Sequence, residues 1–343
     1  MARKEIEIMT GWEFALEEKG EKHFSEVELP HDWAITAPFK KNMEQGEAQG
    51  FRDRWGIGWY RKNLELSKKK DGYCYYLDFG GIYEDSTIWV NGHMAGGQKY
   101  GYSPFRLDVT DYVHTGTNEI LIRVDNTKKP VDRWYSGAGI YRTVKWIETE
   151  KYHLDERKIR VSTAIDNNSG VITVDPGIQG SMRLSAEHDG NMYQTERKEE
   201  IITLRIPDAK FWSAEEPNLY HLKLELMDGE RCADQITMHV GIREFDFIPD
   251  RGMIVNHKPV VLKGVCVHQD IACRGIAATK EMWRTRLMDL KELGCNGIRA
   301  AHHMYAEEFL DLCDELGFYV YEECFDKWTG GLYGTTRIRI VLE

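Results

Sequence analysis

Val260-Val261-Leu262-Lys263-Gly264-Val265-Cys266-Val267-His268-Gln269-Asp270 is the stretch on which the reading of the chain turns. Up to Val267 it is a nearly continuous apolar run, the pattern of a strand covered on both faces in a parallel sheet, and it ends in polar residues. Downstream, Thr279 is a good helix N-cap, and Trp283, Leu287, Leu290 and Leu293 recur at helical spacing until Gly294 stops the turn. Asn296-Gly297-Ile298-Arg299 reads as a second strand. Phe309, Leu312, Cys313 and Leu316 mark a second helix closed by Gly317, and Phe318-Tyr319-Val320-Tyr321 reads as a third strand. The order β-α-β-α-β predicts right-handed crossovers and a parallel sheet, the opening of a (β/α)₈ barrel. Working residues of such barrels stand at the C-terminal ends of strands. Polar clusters lie there: His268 and Asp270, then Arg299, His302 and His303, then Glu322, Glu323 and Asp326.

Upstream the pattern changes to short strands between turn residues. Tyr73 to Phe79 is bounded by Asp71-Gly72 and Gly80-Gly81, Thr87 to Val90 runs into the hairpin signal Asn91-Gly92, and Glu119 to Asp125 alternates polar with apolar. This predicts an antiparallel sandwich over 1–148. Runs from Lys158 to Thr163, Gly170 to Val174, Ser181 to Ala186, Glu200 to Ile206, His221 to Met227 and Gln235 to Val240 have the spacing of an immunoglobulin-like sandwich over 149–245. The partial barrel occupies 246–343.

The composition bounds function. A net charge of -11 argues against nucleic acid and anionic membrane as partners, and no apolar run reaches membrane-spanning length. The cysteines are odd in number and irregularly spaced. Cys266, Cys313 and Cys324 fall inside apolar or helical patterns, which predicts reduced core thiols and a cytoplasmic protein. The aromatic content suits both sandwich packing and sugar-stacking surfaces.

Gly264 to Asp270, Asn296 to His302 and Phe309 to Gly317 together resemble glycoside hydrolase family 2, whose members include β-galactosidases, β-glucuronidases and β-mannosidases. Leu29-Pro30-His31-Asp32-Trp33, Gly58 to Lys62, Ile88 to Gly92 and Trp134 to Arg142 resemble its N-terminal jelly-roll, often called its sugar-binding domain. Phe211 to Tyr220 and Gly241 to Glu244 match its middle domain. The resemblance implies jelly-roll, immunoglobulin-like and partial barrel domains of a retaining exo-glycosidase, most like a β-galactosidase. It places the acid/base and nucleophile Glu on later strands, beyond residue 343, so the chain alone is expected to be inactive. It implies no cofactor and a β-linked carbohydrate as partner, together with the missing barrel portion or a second copy.

By the same resemblance His268, Arg299 and His302 line a sugar subsite, Glu323 is a supporting carboxylate, and Asp125 reaches into the site from the jelly-roll. Glu322 and Glu323 cannot both serve one sugar carbon, because neighbours on a strand point to opposite faces. Asp125 also reads as a turn-capping residue. Two rival readings are a non-catalytic carbohydrate-binding protein and a metal hydrolase built on His268, His302, His303 and Asp270. The end of the chain, Thr335 to Glu343, alternates like a strand where a barrel helix is due, as a cut or frame-shifted gene would leave it.

Overall fold

The architecture is that of a computed structural model that describes residues 3–324, apart from 43–45, 53–54, 129–132, 199 and 272. Asp326 and the run Thr335 to Glu343 lie outside the described residues. In the first region, Lys4–Glu7, Val144–Glu150, Tyr73–Phe79 and Phe105–Asp108 form one antiparallel sheet. It faces a second sheet in which Trp12–Glu18, Gly56–Leu66, Gly116–Asn126, Ser86–Val90 and His93–Gln98 lie side by side. Alternation puts every second residue inside: Tyr75, Leu77 and Phe79 from one sheet meet Ile88, Ile120 and Ile122 from the other, all buried. The Asn91-Gly92 hairpin forms as its sequence predicts. Both residues have positive φ, 50° and 80°, which the right-handed strand twist favours in a two-residue turn.

A second sandwich pairs Arg160–Asp166, Ser169–Asp175 and Ile202–Ile206 against Asn191–Arg197, Ser181–His188, Tyr220–Asp228 and Arg231–Val240. The strand Asn191–Arg197 is absent from the sequence reading. It is an edge strand that buries none of its residues, so no apolar period marks it.

The barrel portion begins with β1 (Gly264–Val267), α1 (Lys280–Glu292), β2 (Gly297–Ala300), α2 (Glu307–Leu316) and β3 (Tyr319–Glu322). The strands pair in parallel, Cys266 opposite Arg299 and Arg299 opposite Tyr321. Thr279 caps α1, its Oγ1 accepting from Met282 N, and Gly317 ends α2 with φ 75°.

Three expectations change. The apolar run from Val260 is not one doubly covered strand: Val260 N donates to Met253 O in the small connecting sheet, Val261 is 76% exposed, and the strand proper starts at Gly264. Its β-branched residues serve two elements, and only one face of the three-stranded sheet is covered by helices. Leu293 does not continue the buried stripe of Trp283 and Leu287; it is the C-cap residue of α1 and lies 80% exposed. Of the three cysteines expected in the core only Cys313 is buried, because Cys266 sits on the sheet face turned away from the helices and Cys324 lies past the end of β3. All the cysteines are free thiols.

Candidate active site

The C-terminal ends of β1, β2 and β3 bring four of the five sequence-predicted residues into one network or its border. Arg299, from β2, donates from Nε to Glu323 Oε1 at 2.7 Å, and its Nη2 joins the same carboxylate. Glu323 Oε2 lies 2.8 Å from His302 Nδ1. One carboxylate thus holds both a guanidinium and an imidazole, fixing the ring of His302 and matching the charge of Arg299. Hydrogen bonding to Glu323 is the first cause that raises the Arg299 pKa. The His268 ring stands 5.4 Å from that of His302, edge to face. Burial, followed by the neighbouring His302, pushes the His268 pKa down and favours its neutral form. Its loop is pinned from α1, where Arg286 Nη1 donates to the carbonyls of His268 and Asp270.

The adjacent carboxylate behaves differently. Glu322 points to the other face, where its Oε1 accepts from Tyr305 N at 2.7 Å and its buried Oε2 has no partner. Burial raises its pKa. The alternation of the strand therefore separates Glu322 from Glu323, as expected from sequence.

Asp125 is tied to its own loop. Its Oδ1 accepts from Thr127 N and Oγ1, and its Oδ2 from Arg123 Nη2. Burial works against its charge, but these hydrogen bonds outweigh it and lower the pKa. His303 also differs from its neighbour: it is fully buried, stacked on Tyr102 at 3.8 Å with its Nδ1 3.0 Å from Met304 O, and burial drives its pKa far down. Among the described residues no group of three or more His, Cys, Asp or Glu is arranged to hold a metal ion. The histidines are spent on packing and on Glu323.

Three further residues belong here and carry no site role in the sequence reading. Trp134, on the jelly-roll, places its indole 5.1 Å from the His302 ring and 6.4 Å from that of His268, while its Nε1 donates to Tyr102. Arg142, also on the jelly-roll, is buried and donates to Gly80 O and Tyr102 O on its own side, and to Gln269 Oε1 and Met304 O on the barrel side. Asp32 makes a similar bridge, accepting from Ala34 N, Ala138 N and Ile276 N. The signal was present, since all three lie in stretches that carry the family resemblance. What was missing was the knowledge that these stretches face the barrel.

Three family models tile this arrangement. The sugar binding domain of glycosyl hydrolases family 2 matches residues 7–150, the family's middle model residues 146–243, and its TIM barrel domain residues 247–333. The chain belongs to glycoside hydrolase family 2. Family 2 relatives include a candidate β-glucuronidase of Formosa agariphila, 35% identical over 330 residues, covering 92% of this chain and 32% of the relative. A β-galactosidase of Bacteroides ovatus is 34% identical over 323 residues, covering 88% of this chain and 38% of the relative. Among solved structures, a β-glycosidase from Bacteroides vulgatus superposes with TM-score 0.85 at 29% identity, covering 94% of this chain and 44% of that one. The chain thus spans 32% and 38% of the length of these two curated relatives. No helix among the described residues is long and apolar enough to cross a membrane.

Proposed function

We propose that this chain supplies one wall of the sugar pocket of a retaining exo-glycosidase acting on terminal β-galactosides, with His268, Arg299, His302 and Glu323 as pocket residues and Asp125 as the jelly-roll's contribution. The observation that carries the reading is the Arg299–Glu323–His302 network beside Trp134, at the strand ends where barrel active sites are built. An indole next to imidazoles that donate and accept suits the apolar face and the hydroxyls of a pyranose. Hydrogen bonds of this kind strengthen as the sugar approaches its oxocarbenium-like transition state.

The two relatives above carry β-glucuronidase and β-galactosidase names. Electrostatics favours the neutral sugar. Arg299 is already matched by Glu323, and burial keeps His268 toward its neutral form, so neither offers an unmatched charge to a uronate.

Retention needs two carboxyl groups about 5–5.5 Å apart, one to protonate the leaving oxygen and one to attack the anomeric carbon. Glu322 and Glu323 do not serve as that pair. They face opposite sides of β3, one bonded to Tyr305 N and the other to Arg299 and His302. In this reading the acid/base and nucleophile come from other strands of the barrel.

The test completes the barrel with the family's remaining strands and compares 4-nitrophenyl β-galactoside with the glucuronide. Faster turnover of the galactoside, with the β-anomer appearing first by NMR, supports the reading. Preference for the glucuronide, or an inverted first product, rejects it.

A further inference from the structure

The second sandwich carries none of the pocket residues, yet two histidines stand directly opposite each other on its outer face. Tyr220–Asp228 and Arg231–Val240 form an antiparallel hairpin whose register pairs His221 with His239, one rung before the ladder ends at Tyr220 and Val240. Strand alternation explains where they point. Tyr220, Leu222 and Leu224 fill the core of the sandwich, so His221 between them is turned outward, and His239 is exposed beside it. The two ring centroids are 5.5 Å apart with 50° between the planes. Neither ring forms a hydrogen bond or ion pair with a described residue, so each has a nitrogen lone pair open to a ligand.

The geometry suits one shared ligand. Cross-strand neighbours have Cβ atoms about 4.5–5.5 Å apart, which anchors both imidazoles within reach of a single point. An ion bonded at about 2.0–2.1 Å to one nitrogen of each ring, near the tetrahedral angle, places the ring centres about 5 Å apart, close to the spacing found here. The surroundings favour positive charge. Glu187 faces His221 from the next strand, and Asp311 and Asp314 of α2 lie within electrostatic reach of His239, with Lys280 and Arg243 offsetting part of that field. Imidazole ligands suit Zn²⁺, Cu²⁺ and Ni²⁺, whereas Mg²⁺ and Ca²⁺ prefer oxygen shells.

We propose that His221 and His239 together bind one divalent transition-metal ion of the Zn²⁺ type, with water filling the remaining positions. Bound there, the ion would tie together the open end of the hairpin, just ahead of Gly241 to Glu244, through which the chain leaves for the connecting sheet and the barrel. An ion that binds the folded hairpin and not the unfolded chain raises stability.

The test is calorimetric titration of the untagged chain with Zn²⁺, repeated on His221→Gln, His239→Gln and His302→Ala. Two imidazoles on one sheet act as a chelate in which the second bond is intramolecular, so losing either should weaken binding by about 10²-fold. His302→Ala should bind as the wild type does. The sheet variants change exposed side chains, thermal melts check that they fold, and either one carries the test alone. Zn²⁺ should raise the melting temperature of the wild type and not of the sheet variants. With Cu²⁺ as a probe, electron paramagnetic resonance should show two imidazole nitrogens in the wild type and one in either sheet variant. Absence of Zn²⁺ binding, an affinity indifferent to both sheet variants, or displacement of Zn²⁺ by an equal concentration of Mg²⁺ overturns the proposal. Binding lost only in His302→Ala would overturn it too, and would move the metal to the pocket.

Discussion

The first sandwich and the barrel sheet are built from strands of similar apolar content, yet they bury them differently. In the sandwich each sheet faces another sheet, and Tyr60, Tyr75, Phe79, Ile88 and Ile122 are all sealed from solvent. In the barrel portion Val267, Ile298 and Ala300 are sealed under α1 and α2, whereas Cys266, Arg299 and Tyr321 on the opposite face are exposed. An antiparallel sandwich completes its core within one stretch of chain. A parallel barrel completes its inner face only when the strands close. The comparison shows how a polar network can stand on the barrel sheet: its exposed face carries Arg299 beside Glu323 and His302, and the sandwich brings Trp134 and Arg142 against it.

The contrast can be broken or sharpened by experiment. The largest effect is expected from Phe79→Ala, which empties a fully buried position stacked on Phe105; a loss of about 3–5 kcal/mol should appear in denaturant unfolding. If that variant loses less than Met288→Ala, which trims a half-exposed residue of α1, the sandwich is not the more finished core.

Next comes His302→Ala in a barrel-completed chain, where kcat/KM for the galactoside should fall by about 10²-fold, roughly 3 kcal/mol, with the melting temperature little changed. An unchanged kcat/KM would remove His302 from the pocket.

A somewhat smaller effect concerns pH. His31, held against Tyr60 in the first sandwich, has its pKa lowered to about 4 by burial, followed by the charge of Arg274 on the barrel side. Below about 6.5 the unfolded chain takes up a proton that the folded chain refuses. Stability should therefore fall as pH drops from about 6.5 through 4, by roughly 2–3 kcal/mol in all. Unfolding curves across that range, compared with His31→Gln, should show the slope reduced by the share of His31, with the rest coming from His268 and His303, whose pKa burial also lowers; an unchanged slope would clear His31.

The smallest effect belongs to Asp125→Ala. Loss of its bonds to Thr127 should cost about 1 kcal/mol of stability. A galactose affinity that drops more than the stability does would show the carboxylate to be a sugar ligand as well as a turn cap.

Much of this molecule can be read along the chain, because the forces involved are local. Thr279 caps α1 through its own side chain, Gly317 and the Asn91-Gly92 pair take up positive φ at little cost, and the period of Phe309, Leu312 and Cys313 announces the buried face of α2. The separation of Glu322 from Glu323 follows from strand geometry alone. The family resemblance placed His268, Arg299, His302 and Glu323 at neighbouring strand ends. Other features needed the assembled fold. Val261 and Leu262 are as apolar as a buried strand, but their exposure depends on where the connecting sheet ends and β1 begins. His302 and His303 are identical neighbours, and one bonds a carboxylate while the other is sealed against Tyr102, because sandwich residues far away in sequence supply that wall. Trp134 and Arg142 acquire their meaning the same way. Caps, turns and periodicity are decided within a few residues of backbone, whereas burial, charge pairing and cavities depend on which distant surfaces meet.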